Sequence, residues 1–292
     1  MRCDLHVHTI HSGMCTVPLL KHVCRESYSQ PEAVYQRLKA LGMDLVTVTD
    51  HDSIDAAESL RRYPDFFLSE EVTCTMPSGT EAHIGVYDIT ERQHLEMQRR
   101  RTDLPSLLAY LREQELLFSL NHAFSSLTGR RDASDWPWFH SAFPVLEVRN
   151  GHMLPQINSL AWEFAVAGGK GKLAGSDAHT ISSLGAAYTE VPGARNRQEF
   201  LQGLRAKRTR VSGTHGGCCK LAADLLRIGF QMIREKPLTA LLLPLAAVVP
   251  AVVLGHYLSE LGFARRWRRW AAALESNRAP SVQPVGSEGY AL

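Results

Sequence analysis

Histidines and carboxylates recur at the ends of short apolar runs along the first two thirds of this chain. Seven such runs are present: RCDLHVH, DLVTVTDHD, FFLSEEV, AHIGVYD, LLFSLNHA, VLEVRNGH and KLAGSDAH. An apolar run of four to eight residues flanked by polar residues is typical of a buried strand, and parallel strands are apolar on both faces. In closed α/β barrels the reacting groups stand at the C-terminal ends of the strands. The pattern therefore predicts a metal site at one end of a barrel.

The residue types narrow the chemistry. His6 and His8 lie two apart, so on a strand they project to the same face and can bind one ion together. Asp177 and His179 repeat that spacing. The other run ends supply Asp50, His51, Asp52, Glu70, Glu71, His83, His122, Asn150 and His152. Imidazole with carboxylate suits zinc, manganese or iron, and this ligand set contains no thiolate of the kind that closes a structural zinc site. An open, hydrolytic metal centre is the interpretation that these residues favour.

The alternative for each histidine is a hydrogen-bonded structural residue. For a lone histidine such as His152 the structural role is the more common one. The two chelating pairs are different, because buried polar groups without a ligand would cost free energy in a core that gains nothing from them.

Helices must lie between the strands if the barrel is to form. PEAVYQRLKALGMD has Pro31 in its first turn and ends near Gly42, which predicts a crossover helix before the second strand. The segments ERQHLEMQRRRTDLPSLLAYLREQE, HMLPQINSLAWEFAVAGG and RNRQEFLQGLRAKRT predict one or two helices, a helix before the Asp177 strand, and a closing helix.

Six segments in order resemble the motifs of the PHP (polymerase and histidinol phosphatase) superfamily. They are DLHVHT at 4–9, TDHD at 49–52, SEEVT at 69–73, HIGVYDI at 83–89, NHAF at 121–124 and GSDAHT at 175–180. The resemblance covers residues 1–215. It implies a distorted (β/α)7 TIM-like barrel and a metal-dependent phosphoesterase, that is, a phosphoric ester hydrolase.

Residue by residue, the resemblance implies a ligand set for two or three divalent ions of manganese, zinc or iron. His6, His8, Glu71 and Asp177 resemble the ligands of one ion. Glu71 would bridge to a second ion held by His83 and His122, and His51 with His179 would hold a third. Glu71, Asp177 and His51 are the implied catalytic residues. Glu70 is the fallback for Glu71.

The third ion site departs from the family pattern. Many relatives carry Asp or His a few residues after the HxH pair, where this chain has Gly13 and Met14, and neither is a ligand for a hard metal. The loop that follows offers four possible substitutes, which are His11, Cys15, His22 and Glu26.

Composition excludes several classes of protein. The chain has 292 residues, of which 45% are hydrophobic and 21% charged, so it can bury one sizeable barrel and a short appendage. A formal charge of +2 does not create the dense basic field of a dedicated nucleic-acid binder. The six cysteines follow no disulfide or metal pattern, and the metal motif begins at Asp4, so we expect a cytoplasmic catalytic domain.

The character of the chain changes after residue 215. We expect a helical, hydrophobic module over 216–275 and a flexible tail over 276–292. Residues 238–259 contain no Lys, Arg, Asp or Glu, and RRWRRW at 265–270 places Trp267 and Trp270 among cations, as at a membrane interface. Pro244 and Pro250 would kink a spanning helix. The two hypotheses are association with the inner face of a membrane through residues 238–270, or a hairpin that packs on the barrel or forms a dimer seam.

The expected function is hydrolysis of the phosphoester of a small phosphorylated molecule through a metal-bound hydroxide. Arg25, Lys21 and Arg149 are candidates to bind the phosphate. The alternatives are a nuclease or nucleotide phosphatase, for which a nucleotide would be the partner, and a metal-binding regulatory domain without catalysis.

Overall fold

A computed structural model describes residues 1–18, 20–126 and 131–276 of the chain. The predicted tail over 276–292 therefore lies, from residue 277 on, outside the described residues. Within these ranges the strands are β1 Arg2–Cys3, β2 Ser69–Thr75, β3 Glu81–Tyr87, β4 Leu117–Leu120, β5 Val145–Asn150, β6 Gly171–Gly175, β7 Ala187–Glu190 and β8 Arg210–Gly213. The α-helices of the same described residues are α1 Pro31–Ala40, α2 Ala57–Leu60, α3 Glu91–Arg100, α4 Leu104–Glu113, α5 Asp135–Ala142, α6 Pro155–Ala167, α7 Arg197–Arg205, α8 Cys218–Glu235 and α9 Val249–Ser276.

The fold is a mixed α/β fold with two hydrogen-bonded sheets. One sheet has the order β2-β3-β4-β5-β6 and the other the order β1-β7-β8. The pairs β4–β5 and β5–β6 are parallel, as expected for strands joined by helices. The pair β2–β3 is antiparallel, because only residues 76–80 connect the two strands and so short a connection makes a hairpin. The pair β3–β4 is also antiparallel, although α3 and α4 lie between these strands.

The paired strands of the described residues do not close into the predicted (β/α)7 barrel. The first two apolar runs contribute single bridges instead of long strands: Val7 pairs with Ala178, Val46 with Phe66 and His51 with Glu71, all in parallel. The bridges still bring the ends of these runs next to the larger sheet. The prediction of an α/β architecture is confirmed, whereas continuous closure of the sheet is not observed.

Local sequence signals account for the helices that flank the sheet. Helix α1 has Pro31 in its first turn and is followed by Gly42 in a left-handed backbone conformation, as predicted. Helix α3 begins with a capping box between Thr90 and Gln93, which satisfies two backbone N–H groups of the first turn. The segment between β3 and β4 forms two helices, α3 and α4, separated at Asp103.

The C-terminal helices pack on the α/β layer. Helix α9 contacts α6 and α8, and α8 also contacts a 3₁₀-helical segment, Pro237–Val248, that contains Pro244. Trp267 is 2% exposed and lies against Phe124, Trp136 and Phe139, with ring centroids 5.0, 5.0 and 5.8 Å away. The interpretation of Trp267 as an interfacial residue is therefore wrong, since the ring belongs to the main hydrophobic core. The boundary at residue 215 stays a prediction.

One helical stretch, Pro237–Ala272, is long and apolar enough to cross a membrane by length and composition. Only 11% of the most apolar part of this stretch is buried, so that part does not belong to the core. Its exposed apolar residues include Leu238 and Leu241, 85% and 84% exposed, together with Leu243, Leu245, Val248, Val252, Leu254 and Leu258. The apolar surface and the packed Trp267 thus occupy different parts of the same stretch.

We predict that Trp267→Ala destabilises the fold by about 3–5 kcal/mol, because it opens a cavity where an aromatic ring is fully packed. Thermal or denaturant unfolding measures the change. Trp162→Ala is the matched control: Trp162 is 43% exposed on α6, and its loss should change the free energy of unfolding by under about 1 kcal/mol. Equal, small effects of the two substitutions would contradict the packing of α9 on the core.

Candidate metal centre

All eight candidate ligands lie together at the ends of the apolar runs. Their donor atoms form four overlapping clusters in which every atom lies within 4.8 Å of the others. The clusters are His6/His8/Asp177, His6/Glu71/His122, His51/Glu71/His83 and His8/His51/His179. No cysteine belongs to any of these clusters within the described residues. The sequence prediction of one nitrogen and oxygen site thus agrees with where the structure places these side chains.

Glu71 is the centre of the arrangement. Its Oε2 lies 3.2 Å from His6 Nε2 and 3.3 Å from His51 Nδ1. The same oxygen is 3.5 Å from His8 Nε2 and 3.7 Å from His83 Nδ1. The other oxygen, Oε1, lies 3.3 Å from His122 Nε2. A carboxylate that faces different imidazoles with its two oxygens has the arrangement needed to bridge two ions.

Four separations within the innermost group are short. Asp177 Oδ1 lies 3.2 Å from His8 Nε2 and 3.5 Å from His6 Nε2. Glu71 Oε2 lies 3.5 and 3.2 Å from the same two nitrogens. Two ligands of one zinc ion, each about 2.1 Å from it, stand about 3.4 Å apart, so these contacts suit donors that share a first-row ion.

Unpartnered nitrogen atoms give a second test of fit. His8 Nε2, His51 Nδ1, His83 Nδ1 and His122 Nδ1 are buried and have no hydrogen-bond partner. Buried polar atoms are normally paired, and three of these four nitrogens lie within 3.7 Å of a candidate carboxylate ligand. The donor set therefore fits divalent metal ions.

The opposite ring nitrogens are held by other side chains. His6 Nδ1 lies 2.9 Å from Glu147 Oε1, and His8 Nδ1 lies 2.9 Å from Ser12 Oγ. Partners of this kind fix the ring and leave Nε2 of each histidine directed into the cluster. Gly175 contributes through its lack of a side chain, since a Cβ there would lie 2.2 Å from His6 Cβ.

The close packing of buried carboxylates and imidazoles shifts their pKa values. Burial alone would raise the pKa of Glu71, but the imidazoles of His6, His83 and His51 hold that pKa well below its usual range. Burial and the neighbouring His179 lower the pKa of His8 to about 3. An ionised carboxylate and a neutral imidazole are the forms that bind metal, so the protein holds these two residues ready as ligands.

Glu26, from the loop after the first run, lies next to two histidines of the His8/His51/His179 cluster. Glu26 Oε1 lies 3.5 Å from His179 Nε2 and 3.7 Å from His51 Nε2. Burial would lower the pKa of His179, but its contact with Glu26 raises the pKa to about 9. Glu26 is one of the four predicted substitutes for the acid missing at Gly13, and the structure brings it to the required place. His11 instead lies on the short 3₁₀ helix Ile10–Ser12.

Glu70 and His152 lie beside the centre without joining it. Glu70 Oε2 contacts His94 Nδ1 and Gln98 Nε2, both at 2.9 Å, so this carboxylate faces α3. The geometry therefore favours Glu71 over its fallback. The His152 ring lies 5.9 Å from the ring of His179, and burial lowers the pKa of His152 to about 4. His152 is part of none of the four clusters.

Sequence reasoning missed several buried residues that orient the ligands. Glu147 holds His6 and also accepts a hydrogen bond from the backbone N–H of His122 at 2.9 Å. Asn121 Nδ2 donates to Glu71 Oε1 at 2.8 Å. Asp50, already a candidate at the end of its run, is 1% exposed and accepts hydrogen bonds from Thr9 Oγ1 and Ser12 Oγ. A carboxylate inside the apolar run VLEVR was the one signal that could have identified Glu147.

Two carboxylates from the C-terminal helices hold loops of the centre. Asp224 of α8 is 1% exposed and accepts from Thr180 Oγ1 at 2.8 Å and Ser183 Oγ at 2.7 Å, next to His179. Glu260 of α9 is fully buried and accepts from the Ser126 backbone N–H at 2.7 Å, in the loop that follows His122. Residues after 215 thus contact the segments that carry two of the candidate ligands.

Two of the three cations predicted to bind phosphate contact other protein groups. Arg25 Nε forms an ion pair with Glu235 Oε1 at 2.9 Å. Arg149 Nη1 donates to the Gly213 carbonyl at 2.7 Å. We therefore do not assign the phosphate to these two arginines.

Comparison with known proteins gives one sequence-family match. The model of the PHP-associated family matches residues 155–209, which include Asp177 and His179. Among curated proteins no match is found.

Solved structures with the same fold are more numerous. A two-domain protein from Bacteroides vulgatus ATCC 8482, described as containing a predicted PHP-like metal-dependent phosphoesterase, has a TM-score of 0.55 and 16% identity, with 73% of this chain and 65% of that chain covered. PsfC from Pseudomonas syringae PB-5123 has a TM-score of 0.55 and 17% identity, with 80% and 98% covered. The lesion-specific endonuclease PfuEndoQ from Pyrococcus furiosus has a TM-score of 0.50 and 17% identity, with 72% and 58% covered.

These likenesses are at the level of the fold, because the identities are low. The chain spans just under two thirds of the Bacteroides protein. The chain therefore resembles PHP proteins in two respects, the match of the PHP-associated family over residues 155–209 and the shared fold.

We predict that the purified protein contains about two tightly held transition-metal ions per chain, from the two ligand groups that share Glu71. His8→Ala and Asp177→Asn should each lower that content, because each removes a predicted direct ligand. Metal analysis by mass spectrometry measures it. Unchanged metal content in both variants would contradict the ligand assignment.

Two further variants serve as comparisons in the same measurement. His152→Ala should keep the two ions, since His152 belongs to no cluster. Glu26→Gln should also keep them but weaken any third ion, which would show as a loss of the portion of metal that rises when manganese is added.

Proposed function

We propose that this chain is a metal-dependent phosphatase that acts on a small phosphorylated molecule. The observation that carries the proposal is the set of four overlapping clusters, two of which contain Glu71, together with three unpartnered nitrogens within 3.7 Å of a candidate carboxylate. The resemblance to the PHP superfamily supports it, and the Bacteroides protein of the same fold is described as containing a PHP-like metal-dependent phosphoesterase.

The proposed ligand sets are those that the resemblance implies, with Glu26 added because of its contacts with His51 and His179. His6, His8, Glu71 and Asp177 would hold one ion, and Glu71 with His83 and His122 a second. His51, His179 and Glu26 would hold a third. Manganese, zinc and iron all suit such ligands. Divalent ions at these positions lower the pKa of water and neutralise the nonbridging oxygens of a phosphoester.

The protein's own residues orient the centre and leave one side accessible. The side chains of His6, His8 and Glu71 have no exposed surface, whereas those of His51, His83 and His179 are 16–17% exposed. A phosphoester would therefore approach from the side of these three imidazoles. Asn121 and Glu147 hold Glu71, His6 and the backbone of His122 in place, which limits reorganisation when charge develops on the substrate.

Two other functions compete with the phosphatase. A nuclease or nucleotide phosphatase would act on a related bond, and PfuEndoQ of the same fold is described as a lesion-specific endonuclease. The net charge of +2 gives such a protein little general attraction for a long polyanion. A regulatory domain without catalysis would keep the ligands and lack turnover.

A substrate panel separates these functions. We predict that the full chain, supplied with manganese, zinc or iron, hydrolyses phosphomonoesters and releases inorganic phosphate, and that Asp177→Asn lowers kcat/KM at least a hundredfold because it removes a direct ligand. Cleavage of dinucleotides without release of phosphate from monoesters would favour the nuclease. Full metal content without turnover on any compound would favour the regulatory domain.

We further propose that the apolar stretch attaches the chain to a membrane, with the catalytic residues in the cytoplasm. Leu238 and Leu241 support this proposal, because large apolar side chains that are 85% and 84% exposed are unfavourable in water. Pro244 and the change from 3₁₀ to α geometry at Val249 favour a shallow or re-entrant insertion over a straight span.

We predict that the full chain floats with phosphatidylcholine vesicles in a density gradient. Leu238→Asp with Leu241→Asp should lower the bound fraction at least tenfold, because each leucine side chain contributes about 1.5–3 kcal/mol of burial. Leu95→Asp is the control, since Leu95 is 57% exposed on α3. Full-length protein recovered without vesicles as a soluble monomer or dimer would contradict attachment.

A further inference from the structure

A cleft opens beside the metal centre, between the loop that carries His179 and helices α1 and α8. Its volume is about 640 Å³. Arg37 of α1, Arg227 of α8 and His179 line it, together with four apolar side chains, Ile181, Leu226, Ile228 and Phe230. The cleft thus joins a candidate metal ligand to an apolar wall.

The cationic side chains of the cleft suit an anionic group, and its apolar side chains suit an apolar group of the same ligand. Arg37 is exposed and makes no ion pair with another described residue, so its guanidinium can meet an anion near His179. Arg227 is paired with the buried Asp224 at 3.2 Å but its side chain is 53% exposed. On the same helix as Arg227, Leu226 and Phe230 are 50% and 61% exposed. Water-exposed apolar side chains beside a reaction centre favour an apolar substrate group over a sugar.

The helix that forms the apolar wall also packs against the segment proposed to bind a membrane. Helix α8, which carries Leu226 and Phe230, packs directly against the segment Pro237–Val248 and against α9. Those elements carry the exposed Leu238, Leu241 and Leu254. Helix α8 also holds the His179 loop through Asp224. One helix therefore connects the apolar surface, the cleft and the metal centre.

We propose that the substrate is an amphiphilic phosphomonoester, with its phosphate at the metal centre and its alkyl chain along Ile181, Leu226 and Phe230. This inference rests on the proposed phosphatase function. In the reaction the oxygen of water bonds to phosphorus, the bond between phosphorus and the alkyl oxygen breaks, and that oxygen takes a proton. The products are an apolar alcohol, which can remain in the membrane, and inorganic phosphate, which leaves to water.

The test compares alkyl chain lengths. Full-length protein with manganese, in mixed micelles of a nonionic detergent, is assayed for phosphate release from butyl, octyl and dodecyl phosphate. We expect kcat/KM to rise at least tenfold from butyl to dodecyl phosphate, because methylene groups added to the chain become buried against the wall. In the double variant Leu226→Ser/Phe230→Ser the ratio between dodecyl and butyl phosphate should fall towards one. Leu95→Ser, a substitution of an exposed leucine on α3, should keep the wild-type ratio.

The outcomes distinguish this inference from the proposed function. Equal turnover of butyl and dodecyl phosphate would overturn the amphiphilic substrate and leave the phosphatase standing. A tenfold rise that persists in the double variant would assign the preference to micelle binding and overturn the role of the cleft. A change of oligomeric mass in the double variant with an unchanged chain-length ratio would identify the wall as an interface between two copies, which also overturns it. No phosphate release from any of the three esters would contradict the phosphatase function itself.

Discussion

The burial of one carboxylate among five imidazoles is the constraint on which the rest of this structure depends. Glu71 has no exposed surface, and His6, His8, His51, His83 and His122 all lie within 3.7 Å of its oxygens. Removing such a charge from water costs several kcal/mol unless partners replace the lost hydration. Metal ions shared by these donors would supply that compensation and would explain why a core tolerates so many unpartnered nitrogens.

The surrounding fold can be understood as the support for this group. Hydrogen bonds from neighbouring side chains hold the ligands in place. Glu147 holds the His6 ring, Ser12 the His8 ring and Asn121 the Glu71 carboxylate. The C-terminal helices support the same loops, because Asp224 holds the turn after His179 and Glu260 the turn after His122. Binding of the apolar stretch to a membrane would therefore act on elements that contact the metal centre.

The sequence predicted which side chains lie together better than it predicted the sheets that position them. The pair His6 and His8 can be identified from sequence because residues two apart on a strand project to the same face. The other candidate ligands were identified from the ordered motifs. Glu147 was missed because one acidic residue inside an apolar strand gives no sign of its partner, which is 141 residues away at His6. The antiparallel β3 and the burial of Trp267 depend on a short turn and on long-range packing, and neither leaves a periodic pattern in the sequence. The sequence alone gave Glu26 no preference over the other three candidate ligands of the third ion, because only the fold of their loop decides which of them meets His51 and His179.

Anomalous diffraction from crystals grown with manganese tests the central claim most directly. The account predicts two peaks that share Glu71, one within about 2.3 Å of His6 Nε2, His8 Nε2 and Asp177 Oδ1, and the other beside His83 and His122. An absence of anomalous density at Glu71, or ions bound only at other carboxylates, would contradict it.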